Sequence, residues 1–202
     1  MAYGDGTNAP YGLNPIQTAT NSTWTASYFD FTLPSAYGTN IFTNDPIALV
    51  NGSIVIGAAS NGTAGNGVSI GTFQGCQYTD AQRNFVSSPY WPANTVLLAG
   101  TVCTVKVSID PYIVYDVQTN STNGLVLTDV GANYNFAIGS GNTATGQSTT
   151  ILDLSSSGGS STYYNCKVIG LTKVPGNAYG VAYNSALVIL NNHLLNSPVA
   201  GV

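Results

Sequence analysis

The chain is short of charge. Its 202 residues hold no glutamate, three lysines, one arginine, eight aspartates and a single histidine. Charged residues make up 6%, against about a quarter of an average soluble chain. General acids and bases, metal ligands and anion clamps come from the residue types that are scarce, so no enzyme and no cofactor are expected. The four cations, Arg83, Lys106, Lys167 and Lys173, are scattered. A nucleic-acid footprint needs them clustered, so no nucleic-acid partner is expected. No run approaches the roughly 18 apolar residues of a membrane-spanning helix, and no membrane partner is expected. Met1-Ala2-Tyr3-Gly4-Asp5-Gly6 has neither a basic region nor an apolar run, so no signal peptide is expected there.

Cysteine is scarce too. Cys76, Cys103 and Cys166 are odd in number and far apart. Buried free thiols are the expectation, with one disulfide plus a free thiol as the alternative. Cys103 shares an alternating apolar face with Val105, Val107 and Ile109, which favours burial.

Apolar residues and hydroxyl, amide and glycine positions fill the space left by charge. Hydrophobic content is 44%, with 13 Tyr, 6 Phe and 2 Trp. That is enough for a core, and unlike a disordered chain. Gly, Ser, Thr and Asn together supply 86 residues. Thr and Tyr favour strands, and Gly, Asn and Ser favour turns. The expected fold is therefore all-β, a β-barrel or sandwich body. Four Asn-x-Ser/Thr sequons, at Asn21, Asn51, Asn61 and Asn120, are as many as this composition produces by chance.

Residues 1–24 read as an extended N-terminal arm. Gly4, Gly6, Pro10, Gly12 and Pro15 punctuate it, and such density opposes both helix and central strand. Tyr3, Pro10, Tyr11, Leu13 and Pro15 are its candidate contact residues. The arm is either a floppy terminus or a segment that docks on a neighbouring subunit. Deleting residues 1–15 is expected to leave the fold intact and to weaken attachment or trimerisation. Residues 25–120 read as the main β domain. Residues 121–202 read as a C-terminal β region that packs on the same body or forms a small lobe.

Alternation predicts strands over 26–33, 68–78, 102–109, 113–118, 149–154, 163–171 and 181–190. The last of these is apolar on both faces, so burial on both is expected. Asn51-Gly52, between apolar runs at 47–50 and 53–56, predicts a type I′ hairpin. Gly71 and Gly75 suggest bulges within their strand. Residues 120–148 read as irregular, with one helical turn near Asp129.

Tests for chemistry return little. Glycosidases flank the scissile bond with two carboxylates. Here Asp45 and Asp110 precede proline, as turn initiators do. Asp80 and Asp129 fall in predicted loops, and Asp30 and Asp116 on the polar faces of strands. Metal sites need clustered His, Cys or carboxylates, which the spacing does not supply. A Ser/His/Asp triad could use only His193, and no nucleophile elbow accompanies it. A hydrogen-bonding histidine at a strand end is the simpler reading. The glycines at 65–67 are followed by no Lys-Ser/Thr pair and are turn chemistry. The tightest aromatic cluster is Pro89-Tyr90-Trp91-Pro92. Tyr90, Trp91 and Pro92 are candidates for an interface, for a core plug or for sugar stacking.

Several stretches resemble structural proteins of tailed-phage virions. They are Gly6-Thr7-Asn8-Ala9-Pro10-Tyr11-Gly12-Leu13, Ile41-Phe42-Thr43-Asn44-Asp45-Pro46-Ile47, and Gly71-Thr72-Phe73-Gln74-Gly75-Cys76-Gln77-Tyr78. Ser88-Pro89-Tyr90-Trp91-Pro92 and Val188-Ile189-Leu190-Asn191-Asn192-His193 belong with them. Within that group the chain is most similar to capsid decoration, or cement, proteins. The resemblance implies a protein made in the host cytoplasm and placed on the virion, at the capsid surface. It implies a homotrimer whose partner is the major capsid protein. A tail-fibre or receptor-binding β module, stacking host glycan on Tyr90 and Trp91, is the alternative.

Overall fold

The computed structural model describes residues 6–57, 68–156, 164–191 and 193–195. These residues form β1 (Asn14–Thr18), β2 (Phe29–Leu33), β3 (Ile41–Phe42), β4 (Pro46–Val50) and β5 (Ser53–Ile56). There follow β6 (Val68–Thr79), β7 (Phe85–Ser88), β8 (Tyr90–Trp91), β9 (Cys103–Ser108) and β10 (Ile113–Gln118). The set closes with β11 (Asn133–Ala137), β12 (Ile151–Asp153), β13 (Cys166–Leu171) and β14 (Ser185–Leu190). The one helical element among the described residues is a 3-10 turn, Leu127–Asp129. The fold is all-β. None of the described helices is long and apolar enough to cross a membrane.

Two six-stranded antiparallel sheets build the body. The first runs β2-β9-β6-β4-β5, with β7 added to β6. The second runs β1-β10-β14-β13-β11-β12. Neither closes as a barrel through a continuous ladder, although both curl. The edges β2 and β5 approach one another. A single parallel bridge, Thr119 to Leu152, brings β12 back toward β10. Curling lets each sheet wrap its own core. Leu33, Ile47, Ile54, Phe73, Val105 and Trp91 fill the first. Leu13, Tyr115, Val117, Phe136, Leu152 and Val188 fill the second.

The Asn51-Gly52 turn is as the dipeptide predicts. Its residues have φ of 50° and 78°, and they join β4 to β5 in register. Register shifts fall beside Gly71 and Gly75 on β6, where bulges were expected.

Four expectations are corrected. Residues 14–18, read as arm, are edge strand β1, paired with β10 of the same chain. Pro15 is tolerated because an edge strand has one side without a ladder. β10, read with the main β domain of residues 25–120, pairs instead with β1 and β14 in the second sheet. The stretch 120–148 is not wholly irregular, since it contains β11. The last strand is not buried on both faces: Ala186, Val188 and Leu190 point into the core, whereas Leu187 and Ile189 are half-buried.

Candidate functional site

Tyr3 lies outside the described residues. The other candidate contact residues separate into two groups, and both pack within the chain.

The first group lines the junction between the sheets. Leu13 is fully buried, and Tyr11 and Pro15 are buried; Pro10 is half-buried. Ahead of β1 the backbone crosses the outer face of the second sheet. There Ala9 N–H donates to Gln118 Oε1, and Gln118 Nε2 donates to the Thr7 carbonyl, both at 2.9 Å. Tyr11 Oη donates to Ser185 Oγ at 2.9 Å. Leu13 N–H donates to the Asn44 carbonyl, and Asn44 Nδ2 and Gln147 Nε2 both donate to the Tyr11 carbonyl. Gly12 makes this crossing possible. Its φ is +77°, and a Cβ there would sit 2.6 Å from the Asn44 carbonyl oxygen.

Asp45 is the centre of the junction. It is completely buried and accepts from Phe42 N–H at 2.8 Å, Ser148 Oγ at 2.5 Å and Thr150 Oγ1 at 3.0 Å. One carboxylate thus ties the turn before β4 to the segment before β12. Burial pushes its pKa up, while the three donors pull it back. Asp116 was expected on a polar strand face. It is buried instead, because the 7–11 segment covers that face. Thr172 Oγ1 donates to it at 2.5 Å. Burial raises its pKa to about 6, against stabilising bonds from Thr172 and Tyr11. Neighbouring Tyr115 Oη is buried without a hydrogen-bond partner of good geometry. The Ser108 and Thr72 hydroxyls, which bond one another, are its polar neighbours.

The second group is the aromatic loop. Ile41 pairs with Trp91 and Phe42 with Tyr90 in the short β3-β8 ladder. Trp91 is fully buried, donates Nε1–H to the Tyr37 carbonyl at 3.2 Å and meets Tyr78 edge-on at 5.3 Å. Tyr90 stacks on Phe42 at 5.5 Å. Of the three readings of this loop, the geometry is that of a core plug. Tyr90 and Pro92 are half-buried.

His193 is buried, with Nε2 3.1 Å from the Ile70 carbonyl. Leu195 N–H donates to Nδ1, so the ring is neutral with its proton on Nε2. Burial lowers its pKa, partly offset by the Ile70 carbonyl and the charge of Asp110. The three cysteines are free and buried, as read from the sequence. Among the described residues no three His, Cys or Asp side chains form a group able to hold a metal ion.

The hub role of Asp45 escaped sequence reasoning. Asp-Pro reads as a turn, and its partners Ser148 and Thr150 lie more than a hundred positions away. Comparisons with protein-family models, with curated proteins and with solved structures each return no match.

Proposed function

We propose that the protein is a non-enzymatic virion component that decorates the outside of a tailed-phage head. As a trimer it would bind the major capsid protein and reinforce contacts between capsomers. The observation that supports this reading is the charge-poor, partly apolar surface. Phe29, Phe85, Val96, Val102, Tyr112 and Leu127 are exposed on a body otherwise rich in hydroxyl and amide groups. Such a surface associates by desolvation and neutral hydrogen bonds, with little counterion traffic. Binding only the assembled shell would stabilise it by mass action. The buried indole of Trp91 leaves the tail-fibre alternative without its main stacking residue.

The test is co-sedimentation with purified heads that lack decoration, at low and high salt, alongside the temperature at which the heads rupture. Expected are attachment that changes little with salt, a raised rupture temperature, and a trimer in analytical ultracentrifugation. Failure to attach, or steep loss of attachment with salt, refutes the proposal.

A further inference from the structure

An asparagine followed by glycine can modify itself. Glycine has no Cβ to hold its backbone nitrogen away from the asparagine side chain. The chain has four such pairs, beginning at Asn51, Asn61, Asn66 and Asn123. Asn61-Gly62 and Asn66-Gly67 lie outside the described residues. The other two sit in opposite surroundings.

Asn51-Gly52 is the tip of the β4-β5 hairpin, and both residues are exposed. A Cβ on Gly52 would meet nothing within 4 Å. The Gly52 N–H makes no hydrogen bond among the described residues. Gly124, in contrast, is buried. Its N–H donates to the Ser121 carbonyl at 3.1 Å. A Cβ there would collide with the Val181 carbonyl oxygen and stand 2.9 Å from the Asn184 side-chain amide. That amide also fixes the next residue: Leu125 N–H donates to Asn184 Oδ1 at 2.9 Å, and Asn184 Nδ2 donates to the Leu125 carbonyl at 3.1 Å.

We propose that Asn51 is a self-modification site, which deamidates to aspartate and isoaspartate and so loosens the first sheet as the protein ages. The Gly52 nitrogen gives its proton to base and attacks Asn51 Cγ. The new N–Cγ bond closes a five-membered imide. The Cγ–Nδ2 bond breaks, and Nδ2 leaves as ammonia with the returned proton. Water then opens the imide at either carbonyl, and one carboxylate is gained. Water is the only co-reactant, and nothing is oxidised or reduced. Ring closure needs rotation about the Asn51 Cα–C bond. At a hairpin tip this disturbs only the closing Val50–Ser53 pair, a small local opening. At Asn123 the same rotation must break the buried bond from Gly124 to Ser121.

The two products differ in consequence. Asp-Gly suits a type I′ turn as Asn-Gly does, so aspartate leaves β4 and β5 in register. Isoaspartate carries the main chain through its Cβ and adds one methylene to it, which a two-residue turn cannot absorb. The strand that then loses its register is β5, whose Ile54 is fully buried in the first core. β5 is also the edge that approaches β2. The chemistry does not depend on where the protein is mounted.

The test incubates the full chain in mildly alkaline buffer and samples it over weeks. Mass spectrometry with electron-transfer fragmentation locates each converted residue and tells aspartate from isoaspartate. Expected is conversion at Asn51 faster than at Asn123 by about tenfold or more. The rate should rise with pH, because the attacking nitrogen must first lose its proton. Chains carrying isoaspartate at position 51 should melt below fresh protein. Freshly purified Asn51→Asp should melt with the wild type. Asn51→Gly keeps a dipeptide suited to the turn and removes the reacting amide, so it should age without the fall in melting temperature. The wild-type conversion map tests the site without any substitution. Conversion at Asn51 no faster than at Asn123, a rate indifferent to pH, isoaspartate-bearing chains that melt like fresh protein, or an equal fall in aged Asn51→Gly would each overturn the proposal.

Discussion

Burial beneath the 7–11 segment raises the Asp116 pKa from 3.8 to about 6. A carboxyl whose pKa is raised by folding binds its proton more tightly in the native state. Its favourable contribution is complete below the unfolded value and is lost as pH climbs toward and past 6. The whole effect is about 3 kcal/mol. Asp45 shifts in the same direction. His193 runs the other way: its lowered pKa contributes stability above 6.5 that is lost as pH falls toward the folded value. Asp116→Asn mimics the neutral form. Urea midpoints should therefore show the variant gaining on the wild type at pH 7.5 and little changed at pH 4. An equal difference at both values would show that ionisation of Asp116 does not matter to the fold.

At the scale of elements, β1 carries the largest consequence. Read as an arm, residues 1–15 would be dispensable for the fold. With Leu13 fully buried and Tyr11 and Pro15 packed beside it, the deletion should instead be strongly destabilising. Removing one buried leucine side chain costs about 2–5 kcal/mol, from a total of about 5–15. Near-UV circular dichroism and thermal melts of the truncated chain would check this, and a wild-type melt would contradict it. Most strands were legible, because alternation at 103–107 or the Asn51-Gly52 turn is written in adjacent residues. β1 was not, because Pro15 reads as a breaker until its edge position is known. β11 was not, because Asn133-Tyr134-Asn135 carries amides where strands usually carry branched residues.

For the molecule as a whole, the question is whether two cores behave as one. Asp45 with Ser148 and Thr150 joins the halves, and so does the parallel bridge from Ser69 to His193. Asp45→Ala would leave one backbone and two hydroxyl donors unpartnered, at a cost of about 2–5 kcal/mol. Calorimetry should show one transition in the wild type. In the variant it should be broadened or split, with van't Hoff enthalpy below the calorimetric value. A single sharp transition at the wild-type temperature would mean that the halves are coupled elsewhere. The pairing of β1 with β10 also matters during synthesis. Strands β2 to β9 form one contiguous block, able to fold as it leaves the ribosome. β1 emerges before that block, and its partner only after it. At about 5–20 residues per second, β1 waits several seconds for its place, with the side chain of Leu13 meanwhile open to chaperones.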